Sequence, residues 1–108
     1  NDMEAILVDK LYKMVQGYYK RYPNGVEPFQ MVTRLLEECG EVASEVNLFE
    51  DSGIKRLKRG EPSKDSLAAE IKQALVALMQ IAVYYSVQEE LEKSIDNSLQ
   101  RMRDENLI

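Results

Sequence analysis

The residues best suited to chemistry in this chain are acidic and closely spaced. Glu37, Glu38, Glu41 and Glu45 all fall within LLEECGEVASE, residues 35–45. On a helix turning about 100° per residue, Glu38 and Glu41 are one turn apart and share a face. With Leu35 at zero, the apolar arc of this helix runs from roughly 320° through 100°. Glu38 and Glu45 fall at its edge, near roughly 300° and 280°, and Glu41 and Glu37 continue the band near about 240° and 200°. Like charges at this spacing repel weakly in water, and desolvation beside a core raises the cost. Basic partners, protonation or a cation can offset it. An all-oxygen ligand set suits a hard cation such as Mg²⁺ or Mn²⁺. The plain alternative is a solvated acidic face, since glutamate is a good helix former.

A second polar stripe lies further along. Glu70, Gln73, Ala77 and Gln80 fall within roughly 80° of one another on an otherwise apolar helix. A buried polar stripe needs partners, and the glutamates upstream are candidates, with Ala77 leaving space between. A polar seam at a helix interface is the other reading. Between the two acidic segments, Lys55, Arg56, Lys58, Arg59 and Lys64 fall within ten residues, a window in which only Glu61 offsets them. Such cations on a loop can clamp phosphate oxygens, or they can simply neutralise nearby acids in solvent. Lys93, Asn97 and Arg101 follow at steps of four and share a face, although the Glu89–Lys93 spacing is that of an ordinary surface pair.

Helices must position these groups. Met3, Leu7, Leu11, Met14 and Tyr18 mark a first amphipathic helix. The turn signal Tyr22-Pro23-Asn24-Gly25 should end it near Arg21. Pro28 suits the start of a second helix. Its apolar face reads Met31, Val32, Leu35, Leu36, Cys39, Val42, Ala43, Val46 and Phe49. Residues 51–62 form a glycine- and proline-punctuated connection. Ser63 is an expected N-cap for a third helix running to about Tyr85. A fourth runs from about Val87 to Asn106 with a narrow stripe of Leu91, Ile95, Leu99 and Met102. No strand pattern or repeat competes, so the expected fold is one all-α, four-helix domain over residues 1–108. The third helix is apolar on most sides between Ala74 and Tyr85. A helix of that kind needs covering over most of its circumference, which predicts a homodimer or homotetramer with this helix near its centre.

Composition narrows the chemistry. The 108 residues are 44% hydrophobic and 31% charged, a folded profile of single-domain size. A net charge of −5 argues against binding a nucleic acid polymer, which needs a basic surface. There is no histidine, so Ser-His-Asp and Cys-His catalysis and His-ligated zinc are out of reach. The single cysteine, Cys39, cannot form an intramolecular disulfide. No signal-peptide pattern is present, and the run Ala74–Tyr85, broken by Gln80, is short for a bilayer. A cytoplasmic protein with no membrane partner is expected.

The motif Glu37-Glu38-Cys39-Gly40-Glu41 resembles the EExxE motif of the MazG-like nucleoside triphosphate pyrophosphohydrolases, within the all-α NTP pyrophosphatase superfamily. The stretch LAAEIKQALVALMQIA resembles the segment that carries the family's ExxD motif on the next helix, with Glu70 at its glutamate. The helix order and the turn before the second helix are also similar, so the resemblance covers most of the chain. It implies a four-helix MazG-like domain assembled as a homo-oligomeric bundle. It also implies hydrolysis of (d)NTPs between the α and β phosphates, giving a monophosphate and pyrophosphate. Carried over, Glu37, Glu38, Glu41 and Glu70 form the catalytic set. Glu38, Glu41, Glu70 and Gln73 ligate Mg²⁺, with Mn²⁺ as a substitute, while Glu37 adds a ligand or orients the attacking water. Lys55, Arg56, Lys58 and Arg59 contact phosphates, and Asn97 and Arg101 are similar to polar positions late in the family's fourth helix. The chain departs from the pattern at Gln73, where the family has aspartate. A glutamine carbonyl can ligate a hard cation but brings no charge. At Ala77 some relatives carry an aromatic residue that contacts the base. Phosphoribosyl-ATP is a runner-up substrate. The alternatives are a weakly active or non-catalytic nucleotide-binding relative and a helical oligomerisation module.

Overall fold

The computed structural model describes residues 2–50 and 60–108, with side chains from Leu7 onward. The described residues form four helices and no strand: α1 (Asp2–Arg21), α2 (Pro28–Phe49), α3 (Lys64–Tyr84) and α4 (Gln88–Asp104). The punctuation read from the sequence sets their ends. Glu27 caps α2, its carboxylate accepting from the backbone N–H groups of Phe29 and Gln30 at 3.1 Å each. Pro28 follows at the first helical position, where a missing N–H costs nothing. Ser63 caps α3 by accepting from the Ser66 N–H at 3.2 Å. Gly25, at φ +88°, makes the turn between α1 and α2 that a side chain would strain.

The central element is α3. Both α1 and α2 pack against it, and α4 touches α3 alone. Leu11 and Val15 of α1 meet Val76 of α3 in the core, flanked by Met14, Tyr18 and Met79. Val15 is completely buried, whereas Leu7, expected on the same face, is exposed. The fourth helix buries no residue fully: Leu91 and Leu99 are half-buried, and Ile95 and Met102 are exposed.

The face of α2 differs from expectation. Met31 is buried, and Leu35 and Val42 are half-buried. But Val32, Leu36, Cys39, Ala43, Val46 and Phe49 are exposed, while Glu45 and Leu48 are buried. The helix is rotated so that its acidic edge, rather than the middle of its apolar arc, faces α3. The reason is supply: α3 is the one described helix packed along α2, and it accepts one side of it. The wider apolar side is left outward.

That leaves much surface uncovered. The radius of gyration is 16.8 Å, against about 13 Å for a compact domain of this length. The accessible surface is 8296 Å², against roughly 6100 Å² for a compact monomer of this mass. By length and composition α3 is apolar enough to cross a membrane, and only 22% of its apolar window is buried here. The apolar window is thus longer than the Ala74–Tyr85 run suggests.

Candidate functional site

A cavity of about 600 Å³ opens between α1, α2 and α3, a size typical of small-molecule sites. Its position follows from the antiparallel pairing of α2 and α3. Near one end Arg34 of α2 meets Gln80 of α3, the guanidinium Nη1 donating to the amide Oε1 at 3.4 Å. Further along, Glu38 of α2 feels the charge of Glu70 of α3. Residues rising toward the end of α2 therefore face residues falling toward the start of α3.

One end of the cavity is acidic. Glu38 and Glu41 of α2 line it together with Glu70 and Gln73 of α3. Burial pushes the Glu38 carboxyl above the usual carboxylate range. The neighbouring charges of Glu70, Glu41 and Glu37 push it further, against the opposing pull of Arg34. The other end is aromatic and apolar. Tyr18, Tyr19 and Tyr22 line it with Met31 and Val26. The rings of Tyr18 and Tyr22 stack at a centroid separation of 6.5 Å and an interplanar angle of 29°.

Tests of a cation at the acidic end give two results. The donor chemistry fits: carboxylate and amide oxygens face one cavity, and their mutual repulsion is what a hard cation relieves. Yet no group of three His, Cys, Asp or Glu side chains among the described residues is gathered closely enough to hold a metal ion.

The other sequence-derived positions divide. Glu37 is exposed and lines a separate, shallower cavity of about 340 Å³, with Glu27, Thr33 and Arg34. Its charge reaches Glu38, but its side chain does not line the main cavity. Asn97 and Arg101 are exposed on α4 and do not line it either. Lys55, Arg56, Lys58 and Arg59 lie outside the described residues.

Two contributions were not foreseen: Arg34 and the tyrosines of α1. Arg34 precedes Glu38 by four residues, and Tyr18 precedes Tyr22 by four, so each pair shares a helix face. That periodicity was the available signal for Arg34. Tyr18 lies on the apolar stripe of α1 and Tyr22 in the turn that ends it, so neither spacing nor type marks them as cavity residues.

The chain matches no family model, and no curated protein or solved structure matches it. What the fold and the cavity define by themselves is a class: an all-α protein whose described helices enclose a pocket acidic at one end and aromatic at the other.

Proposed function

We propose that this protein is a Mg²⁺-dependent nucleotide pyrophosphohydrolase of the MazG-like kind. It would cleave (d)NTPs between the α and β phosphates to a monophosphate and pyrophosphate. The observation that carries this reading is the two-ended cavity. Glu38, Glu41, Glu70 and Gln73 gather at one end, and stacked aromatic rings stand at the other. From Glu70 to Gln80 the α3 wall rises ten residues, about 15 Å, which suits a nucleotide lying lengthwise.

Glu38, Glu41, Glu70 and the Gln73 carbonyl would hold the ion. When bound, Mg²⁺ (or Mn²⁺ in its place) would neutralise phosphate charge and make a nearby water more acidic. The carboxylates orient that water and take up its proton. Water adds across the α–β bridge: its oxygen bonds to phosphorus, the bridging P–O bond breaks, and the proton leaves through a carboxylate. The tyrosines offer flat faces to the base.

A second reading, a weakly active or non-catalytic nucleotide-binding relative, is favoured by one observation. Gln73 removes a carboxylate from an acidic end whose remaining carboxylates do not converge. One assay separates the two. The protein is incubated with NTPs and dNTPs, with Mg²⁺ and then Mn²⁺, and products are resolved by ion exchange. Monophosphate plus pyrophosphate supports the enzyme. Bound but intact nucleotide supports the relative.

The uncovered apolar surface supports a homodimer or homotetramer as part of the same proposal. The excess surface is roughly 2200 Å², more than the roughly 800 Å² per partner of a standard interface. A second copy is a better cover for α3 than a bilayer, because Glu70, Lys72 and Gln80 on this helix would be costly in lipid. A cytoplasmic protein is the corresponding location. Light scattering at micromolar concentration tests the assembly, and a monomeric mass would count against it.

A further inference from the structure

Gln80 stands out among the polar side chains that line the cavity. It is only 7% exposed, and burial of an amide is costly unless its donors and acceptor are matched. An amide has one acceptor oxygen and two N–H donors. The Gln80 oxygen accepts from Arg34 at 3.4 Å. Because arginine carries donors and no acceptor, this contact fixes the amide's orientation: Oε1 must face Arg34. The Nε2 group is then left to the cavity, and no hydrogen bond from it is present among the described residues. Arg34 also lines the cavity and has N–H groups to spare. The wall made by Arg34 and Gln80 is therefore a donor wall. Met31, Val76 and Ala77 beside it present no side-chain acceptor; the acceptors in the lining are the acidic-end oxygens, Asn24 and the tyrosine hydroxyls.

The ligand edge that meets this wall must bring acceptors. Gln80 also stands ten residues along α3 from Glu70, roughly 15 Å, while Arg34 is one turn from Glu38. For a nucleotide with its phosphates at the acidic end, the edge that arrives here is the base edge farthest from the sugar. That edge carries a carbonyl oxygen in keto bases and an amino group in adenine and cytosine. An amino group would set donors against donors and leave both unsatisfied, which costs more than an absent bond gains. Ala77, buried beside Gln80, is too small to close the space. The stacked rings of Tyr18 and Tyr22 hold the plane of the base without reading its identity.

We infer that Gln80, oriented by Arg34, makes this cavity selective for nucleotides with keto bases (guanine, uracil, thymine) over adenine and cytosine. This deepens the nucleotide reading above and rests on it.

The test is equilibrium binding, so that turnover does not enter. Non-hydrolysable α,β-imido analogues of dGTP, dUTP, dATP and dCTP are titrated with Mg²⁺ into the wild-type protein. The expected result is at least about tenfold tighter binding of the dGTP and dUTP analogues, the scale of one mismatched base contact. Gln80→Glu keeps the size and gives the wall an acceptor, so the ratio should narrow or reverse. Gln80→Leu should bring all four within about threefold, the residue of a lost hydrogen bond. The wild-type ranking decides the matter even where a variant fails to fold. All four analogues binding alike would overturn the selectivity and leave the nucleotide reading standing. No analogue binding at all would overturn both.

Discussion

The two sides of α2 make an instructive pair. The inner side carries Arg34, Glu38, Glu41 and the buried Glu45, facing a cavity and α3. The outer side carries Val32, Leu36 and Val46, at 46%, 67% and 44% exposure. Although Met31 and Leu48 are buried on the inner side, this is a partial inversion, since apolar stripes ordinarily face inward. The inversion makes sense only if each side has a partner of its own kind. The inner side needs something polar and positively charged, and the outer side needs something apolar. The proposed metal–nucleotide complex would meet the first demand and the proposed second copy of the chain the second.

The largest expected effect breaks the inner side. Glu38→Gln should lower metal-dependent turnover by about 100-fold or more, because losing a second ligand charge beside Gln73 removes several kcal/mol of charge stabilisation. The same change should leave the melting temperature unchanged or raised, since it relieves the repulsion from Glu70, Glu41 and Glu37. Turnover and thermal melting of one preparation check both halves. Lost turnover with a falling melting temperature would mean a folding defect, not a site.

Next comes the outer side. Leu36→Glu places a charge on the exposed stripe, where one chain tolerates it and an apolar interface does not. Self-association should weaken by about 30-fold, equivalent to roughly 2 kcal/mol. Sedimentation at several concentrations reads this directly. An unchanged association constant would show that this stripe is not the interface.

How much of this pairing could be read from the chain alone depends on how local the signal is. The helix start at Pro28, the cap at Ser63 and the turn through Gly25 were legible, because each acts within a few residues of itself. The four helices followed from their apolar spacing. The rotation of α2 was not legible. A periodicity shows that a helix has an apolar side, but not whether its own chain has anything to cover it. Glu45 and Leu48 are buried because α3 is the described neighbour along α2 and takes that edge. Helical spacing paired Glu38 with Glu41 and Glu70 with Gln73, and the motif resemblance joined the two pairs into one set. The placement of Glu37 outside the cavity was not legible, because the motif puts it next to Glu38 in sequence and about 100° away in space.

A smaller effect sharpens the inner side. Gln73→Asp adds a carboxylate to the acidic end and should tighten Mg²⁺ binding by about tenfold, the scale of altering one ligand or its support. Calorimetric titration measures it. Unaltered or weakened affinity would take Gln73 out of the ligand set.

The smallest is a pH effect on the metal-free protein. The Glu38 carboxyl is raised in the folded state, so folding favours its protonated form. Its contribution to stability is complete below the ordinary glutamate range and is lost as pH rises through the folded value. Wild-type melting should therefore fall over that window relative to Glu38→Gln, which cannot titrate there. Parallel melting curves across the same pH series would remove the inward charge crowding from the explanation.

The most direct test of the inner side as a metal–nucleotide site is calorimetric. An α,β-imido nucleotide is titrated into wild-type protein and into Glu38→Gln, each with and without Mg²⁺. Binding that requires Mg²⁺ in the wild type and is lost in Glu38→Gln is the expected result. Binding that is indifferent to Mg²⁺ and equal in the two proteins would contradict it.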